Sequence, residues 1–591
     1  MVSRVNRVPN REPQGGEVAQ TAVQPERWGR GRRLKVSLPI FIILIGILVT
    51  ISNITAVPWN TEPTGQSIET LSPDTAVTFS GSGDRHASGS TAGNAADSAS
   101  ASVDNQGRYQ VASHHVTIKA VRPATGEVQS MRVNIREPVG ASGKRPAVVF
   151  MHGAGYGTSD NSFADIAHDI TSAGFVTAVP DKPVWSTNDI TRDYPGSAVA
   201  YDQLIRLVRA MDDVDAHGVG IYATSESTWI SPYLLTLDPD IAFQVLLSTM
   251  VYTPRQALGF FVAQNFTLVG ANNGYQSIVR RVFHIDSSMF GLANLDIPVQ
   301  LKAAYSIPTF VAYGSKDVMT AQVEGIRKIV DMARASGNRD VTVRSYPVAN
   351  HVLRLGDEAD AGTELSDNYV GDVIDWAVGT VQGRTQTSER VAGSQIYQSI
   401  AVPVELQSNR FLSLYGVILH GAMLALLLAA AIIALIALGV KIRHLIRHEG
   451  PVLAMRHGFG GSLLALATTT MATLILFAAG LGQVCYAVVK LGWGGAPAED
   501  PGMMYWSWPL VQVVSTLVVW AWSRVLTGVI EEASARGITR LPPRKGAIRD
   551  AFTGREPVVA STRLGRVLFW VTTLALMHVL LFFAFWGLFI Y

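Results

Sequence analysis

The chain of 591 residues contains one cysteine, Cys485, and it lies inside an apolar run. No intrachain disulfide can form, and one sulfur cannot build a thiolate metal site. Charged residues make up only 16% of the chain and the formal net charge is +2. No global field therefore points to nucleic acid as a partner. Histidine pairs are scarce as well. His114 and His115 fall on opposite faces of an expected strand and cannot share a metal, so neither metal nor cofactor is expected. What the chain has in quantity is hydrophobic residues, 48% of the total. Its length also exceeds one ordinary domain.

The apolar residues are concentrated in long runs. Residues 1–35 form a polar tail ending in Arg27, Arg30, Arg32, Arg33 and Lys35, and 36–57 is long enough to cross a bilayer, which takes about 20 apolar residues. Without a small-x-small cleavage site this run reads as an uncleaved anchor rather than a signal peptide. Arg32-Arg33 lacks the rest of a twin-arginine signal. Residues 58–108 are rich in Ser, Gly, Ala, Asp and Thr and are expected to be a flexible tether. After a second linker at 386–410, four more apolar runs lie near 411–440, 462–489, 506–526 and 567–590, making 411–591 a four-helix transmembrane region.

Charge sets the expected direction. Lys441, Arg443, Arg447 and Arg456 fill the first connection between these runs, and Arg536, Arg540, Arg544, Lys545, Arg549, Arg555, Arg563 and Arg566 fill the third. The middle connection carries Glu499 and Asp500 and no lysine or arginine. Basic loops stay in the cytoplasm, so the N-terminus is expected inside, with the C-terminus and everything between the first two spans outside. Trp493, Tyr505, Trp506 and Trp508 fit an aromatic belt at the outer surface, with His420 at a membrane edge and His578 deeper. No acidic pair or internal repeat favours a transporter.

Residues 109–385 alternate strand and helix patterns. Strands are expected at 116–121, 132–135, 147–151, 176–179, 219–222, 243–247, 309–313 and 341–346, with helices at 163–173, 198–211 and 321–335. That order implies an α/β fold with a mostly parallel sheet covered by helices. The interval from about 252 to 305, with Phe260, Phe261, Phe266, Phe283 and Met289, is expected to be a cap.

Within this domain the segment from Val219 to Pro232 is a strand, a tight turn at Ser225, and a helix. Small residues two before and two after the serine fit a nucleophile elbow, although Ala223 and Ser227 stand where Gly-x-Ser-x-Gly has glycine. An ordinary helix-capping serine fits the same stretch. His152-Gly-Ala-Gly155 follows another strand and could bring backbone N–H groups to a substrate oxygen. The expected donors are those of Ala154, Gly155 and Glu226, with His152 supporting the turn. Asp317 and His351 each follow a later strand. Singly they read as a helix cap and a loop histidine, but the order Ser225, Asp317, His351 is that of one class of serine hydrolase.

On these motifs the domain resembles the α/β-hydrolases, and more narrowly the esterase/dienelactone-hydrolase-like group. That group carries His-Gly-x-Gly, Asp-Lys-Arg-Gly and Gly-x-Ser-Glu-Gly-Gly-x-Ile-Ala-Pro. Here they read His152-Gly-Ala-Gly155, Asp181-Lys182-Pro183 and Ala223-Thr-Ser225-Glu-Ser-Thr-Trp-Ile-Ser-Pro232, departing at the elbow glycines and after Lys182. The resemblance covers about residues 110–385 and implies Ser225 as nucleophile, His351 as general base and Asp317 as its orienter. The function expected from it is a membrane-anchored, extracytoplasmic hydrolase of ester or thioester bonds. Its partners would be an ester or lipid-like small molecule and membrane lipid, with no nucleic acid and no cofactor. Acyl transfer to an envelope acceptor uses the same residues, and a non-catalytic sensory or structural module is the alternative without chemistry.

Overall fold

The computed structural model describes residues 27–59, 63–70, 72–80, 105–155, 157–185, 193–291, 293–356, 363–456, 458–492, 495–496 and 499–591. The chain opens with α1 (Arg30–Ile54) and β1 (Pro63–Ile68), then β2 (Gln110–Val121), β3 (Val128–Val139) and β4 (Arg145–Met151). It continues through α2 (Ala164–Ser172), β5 (Val176–Pro180), α3 (Tyr194–Arg209), β6 (Val214–Thr224), α4 (Ser227–Leu237) and β7 (Gln244–Leu247). Next come α5 (Pro254–Leu268), α6 (Asn273–Phe283), β8 (Thr309–Gly314), α7 (Gln322–Ala335), β9 (Val341–Tyr346) and α8 (Tyr369–Val381). The last elements are β10 (Val391–Gly393), β11 (Ile396–Ile400), α9 (Arg410–Arg447), α10 (Phe459–Gly492), α11 (Met503–Ala535), α12 (Ala547–Thr553) and α13 (Arg563–Phe585).

The chain divides into two compact units. The larger comprises 47–424, 470–515 and 578–591. It holds a nine-stranded sheet in the order β10-β9-β8-β7-β6-β4-β5-β3-β2. Strands β2, β3 and β5 pair antiparallel in series, and all other neighbours are parallel. The central strands are rich in apolar residues and mostly buried, as expected of a parallel sheet covered on its faces. The Ala-Val-Val-Phe-Met run of β4 is completely buried, as expected where neither face meets water. One core cluster joins Phe150, Val245, Phe310 and Trp376, so β4, β7, β8 and α8 share one apolar interior.

Each of the eight expected strands lies within or overlaps an observed one, most of them extended at the ends. The tether at 58–108 and the linker at 386–410 require correction. Pro63–Ile68 pairs antiparallel with Ile396–Ile400, with Gln66 opposite Gln398, in a separate two-stranded sheet. Val77 and Phe79 are buried, and the Arg344 guanidinium donates to the carbonyls of Thr75 and Ala76. Composition averaged over fifty residues hid a short alternating Val-x-Phe segment that completes the core. The Ser/Gly-rich stretch at 81–104 lies outside the described residues, as does the basic tail before Arg27.

The expected cap at 252–305 contains α5, α6 and two short 3-10 turns. It is anchored on long helices of its own unit. Tyr275 Oη and Ser507 Oγ are 2.8 Å apart, the Tyr275 and Trp508 rings meet edge to face at 5.0 Å, and Arg281 donates to the Ser52 carbonyl. The aromatic belt is therefore corrected at Trp508, which is 3% exposed against the cap. Trp506 and Tyr505 are exposed, and Trp493 is outside the described residues. His420 is held between the Gly416 carbonyl, which it bonds through Nδ1, and the Trp586 N–H, which donates to Nε2.

The smaller unit comprises 1–46, 425–469 and 516–577, and so holds the N-terminal arginines together with the two basic connections. Each of α1, α9, α10, α11 and α13 contributes residues to both units. These five helices are long and apolar enough to cross a membrane. In the most apolar window of α1 only 11% of residues are buried by protein, and in that of α9 only 17%. Apolar surface on that scale suits helices that cross a membrane.

Candidate active site

Strand β6 delivers Ser225 into a left-handed backbone conformation, φ 51°, between the strand end and α4. A non-glycine residue adopts this region only when its surroundings hold it there, and such strain clusters at functional sites. The holding contacts are visible. The Ser225 N–H donates to the Leu247 carbonyl at the end of β7. The Ser227 hydroxyl accepts from the Thr224 N–H at 2.8 Å and lies 2.9 Å from the Met151 carbonyl at the end of β4. The side chain that replaces the second elbow glycine thus ties the turn to the neighbouring strand.

His351 lies in the loop after β9. Its Nε2 is 2.8 Å from Ser225 Oγ and its Nδ1 is 3.0 Å from Asp317 Oδ1. Asp317, beyond the end of β8, also accepts from the Thr320 hydroxyl and the Met319 N–H. Burial by itself would raise the Asp317 pKa. The adjacent His351 charge and the three hydrogen bonds outweigh it and hold the group below the usual aspartate value. An ionised carboxylate can only accept, so the His351 proton resides on Nδ1 and Nε2 is left to accept from Ser225. The structure therefore brings the three sequence-nominated residues into one hydrogen-bonded line at the carboxyl edge of the sheet. All three are 6–9% exposed.

The His-Gly turn lies against the elbow. A Cβ on Gly153 would stand 3.2 Å from the Thr224 carbonyl oxygen and 3.5 Å from Ser225 Cβ, so glycine permits this approach. Ala154 and Gly155 follow as exposed residues, Gly155 with φ 87°. His152 is directed away from the serine, bonding the Pro180 carbonyl through Nε2, and burial pushes its pKa down to about 4. Its bond to Pro180 ties the His-Gly turn to the end of β5.

Three groups, Lys182, Tyr194 and Ser248, were not identified from sequence as site supports. Lys182 is 7% exposed and its ammonium donates to the carbonyls of Gly153 (2.8 Å) and Gly155 (2.9 Å) and to Glu226 Oε2 (2.9 Å). One cation thereby joins the glycine loop to the residue after the nucleophile. Tyr194 adds a hydroxyl to Glu226 Oε1 at 3.4 Å. The opposite charges at 182 and 226 were legible, but their meeting required the fold. Ser248, also in a left-handed conformation, donates to the His351 carbonyl and fixes that loop. His114 and His115 pair separately with Glu137 and Asp160. Among the described residues no group of three or more His, Cys, Asp or Glu could hold a metal.

Two antiparallel strands lead into a parallel run crossed between β5 and β6, with the serine after β6, the acid after β8 and the histidine after β9. The domain has the α/β-hydrolase fold. No protein-family model and no curated protein matches the chain. Solved structures similar to it include a bacterial heroin esterase, at 15% identity over 46% of this chain and 84% of that one, TM-score 0.34. Another is a 2,6-dihydroxy-pseudo-oxynicotine hydrolase, at 15% identity over 47% and 70%, TM-score 0.32. A third, from Bacteroides ovatus and described as a candidate dipeptidyl aminopeptidase IV, aligns at 13% identity over 47% of this chain, TM-score 0.32, and the match spans only 36% of its length. The fold of the α/β-hydrolase domain rests on its own strand order and register rather than on these likenesses.

Proposed function

We propose that the chain is a membrane-anchored serine hydrolase of carboxylic esters, thioesters included, with its α/β-hydrolase domain on the extracytoplasmic side. The observation that carries the reading is the continuous line Ser225 Oγ–His351–Asp317 on a strained elbow. Ser225 Oγ attacks the acyl carbonyl while His351 Nε2 takes its proton, and the carbonyl oxygen becomes an oxyanion facing the N–H groups of Ala154, Gly155 and Glu226. As the tetrahedral species collapses, His351 returns the proton to the departing alkoxide or thiolate, leaving Ser225 acylated. Water then attacks the acyl carbonyl while His351 takes its proton, and as this second tetrahedral species collapses His351 returns that proton to Ser225 Oγ, releasing the carboxylic acid and the free serine. Asp317 keeps the imidazole in the required tautomer and stabilises its charged form.

Orientation follows from the arginines of the smaller unit, since basic connections stay in the cytoplasm. The Ser227 hydroxyl bonds count against the non-catalytic reading, because they supply a physical reason for the missing elbow glycine.

The test is labelling of membranes holding the full chain with a fluorophosphonate, which needs an activated serine but not the natural substrate. Wild type is expected to label and Ser225→Ala to lose the label. Ester hydrolysis should fall by roughly four orders of magnitude or more in that variant. Undiminished labelling in Ser225→Ala, or none in correctly folded wild type, would overturn the proposal.

A further inference from the structure

Within the smaller unit, α1, α10 and α11 enclose a cavity of about 590 Å³. Arg27, Arg30, Arg33 and Arg524 line it, together with Glu531 and Glu532. Both carboxylates are already engaged. Arg33 grips Glu531 through Nε at 2.8 Å and Nη2 at 3.0 Å, and the Trp28 N–H adds a third bond to the same carboxylate. Glu532 pairs with Arg536 at 2.6 Å and with Arg456 at 3.8 Å. Arg27, Arg30 and Arg524 have no anionic partner among the described residues. The cavity therefore holds excess positive charge, and its own acids do not neutralise it.

The lining is also graded. Arg524 precedes Glu531 by seven residues on one helix, about 10 Å further along α11 at 1.5 Å per residue. The same lining carries apolar side chains, Leu34, Phe459, Trp520 and Val525, interspersed with the hydroxyls of Ser37, Ser462 and Thr527. An arginine this far into an apolar helix is costly unless it meets water or an anion. Guanidinium forks match phosphate oxygens in pairs, and basic pockets between membrane helices suit anionic headgroups.

We propose that this cavity is a binding site for a phosphate ester, and specifically for the headgroup of an anionic phospholipid. The phosphate is held by Arg30 and Arg524, and the first part of the lipid's apolar moiety lies along Leu34, Phe459 and Trp520. A free phosphate anion offers the same oxygens but would leave those apolar side chains uncovered. This assignment does not depend on the hydrolase chemistry at Ser225.

The experiment uses the full chain purified in a neutral detergent and measures binding of fluorescent phosphatidylglycerol against phosphatidylcholine bearing the same fluorophore. Inorganic phosphate serves as competitor. The expected result is preferential binding of phosphatidylglycerol, weakened about fivefold by Arg30→Gln and again by Arg524→Gln, with phosphate a poor competitor. Arg524→Lys, which keeps the charge but not the fork, should bind between wild type and Arg524→Gln, and it tests the site should Arg524→Gln fold badly. Displacement by inorganic phosphate at concentrations comparable with the lipid would assign the site to a free anion and overturn the lipid occupant. Equal binding of the two lipids, or binding unmoved in Arg30→Gln and Arg524→Gln proteins that elute as wild type does, would overturn the site itself.

Discussion

Ser227 departs from the usual elbow, yet the structure gives its hydroxyl a function in the turn. Restoring the consensus with Ser227→Gly should therefore harm rather than help. The Thr224 N–H and Met151 carbonyl would lose a buried partner, at about 1–3 kcal/mol, which a lowered thermal midpoint in detergent would register. A variant as stable and as readily labelled as wild type would remove that role. Lys182 presents a sharper case. Lys182→Met leaves Glu226 without its buried cation and should cost about 3–5 kcal/mol of stability. In Lys182→Met/Glu226→Leu the unpaired charge is gone, so stability should return in large part. The rate of probe labelling should stay low in both, since the carbonyls of Gly153 and Gly155 have lost the donor that positions their loop. A double variant that labels at the wild-type rate would show that Lys182 serves stability alone.

At the level of elements, the segment before β2 contributes more than its composition suggests. Thr75 and Ala76 are held by Arg344 of β9, and the neighbouring Asp372 of α8 accepts a hydrogen bond from Tyr346. Burial is the main cause that raises the Asp372 pKa to about 6, against the pull of its hydrogen bonds. The folded state thus favours the protonated carboxyl. That contribution is fully present below the unfolded aspartate value of about 4 and is lost as pH rises through about 6. Thermal unfolding followed across this interval should show the slope, and Asp372→Asn should flatten it while remaining a hydrogen-bond acceptor for Tyr346. Above pH 6 the variant should be the more stable by about 3 kcal/mol, scaled at about 1.36 kcal/mol per pKa unit. An unchanged slope in Asp372→Asn would assign the pH dependence to other groups.

For the whole molecule the governing question is which side of the membrane each connection occupies. The solitary Cys485 makes the test direct, because Cys485→Ser yields a cysteine-free chain. In that background a cysteine introduced by Ala496→Cys, between α10 and α11, should react with a membrane-impermeant maleimide added to intact cells. One introduced by Lys545→Cys, in the basic connection before α12, should react only after the membrane is opened. The reverse pattern would invert the proposed topology and place Ser225 in the cytoplasm.

The sequence alone determined what depends on local periodicity and on position along the chain. Five apolar runs, eight strands in alternation with helices, and the order serine, aspartate, histidine each follow from neighbours within one element or one turn. Three kinds of fact came only from tertiary structure, because each joins residues far apart in the chain. Lys182 meets Glu226 across 44 positions. Pro63–Ile68 finds its partner strand more than three hundred residues later, which no composition window can register. Trp508 carries the signature of an interfacial aromatic, yet is buried because Tyr275 of α6 packs against it. Spacing could nominate Ser225, Asp317 and His351 one by one. Only the packing of β6, β8 and β9 into one sheet brings them within hydrogen-bonding distance, and that distance makes a proton relay physically available.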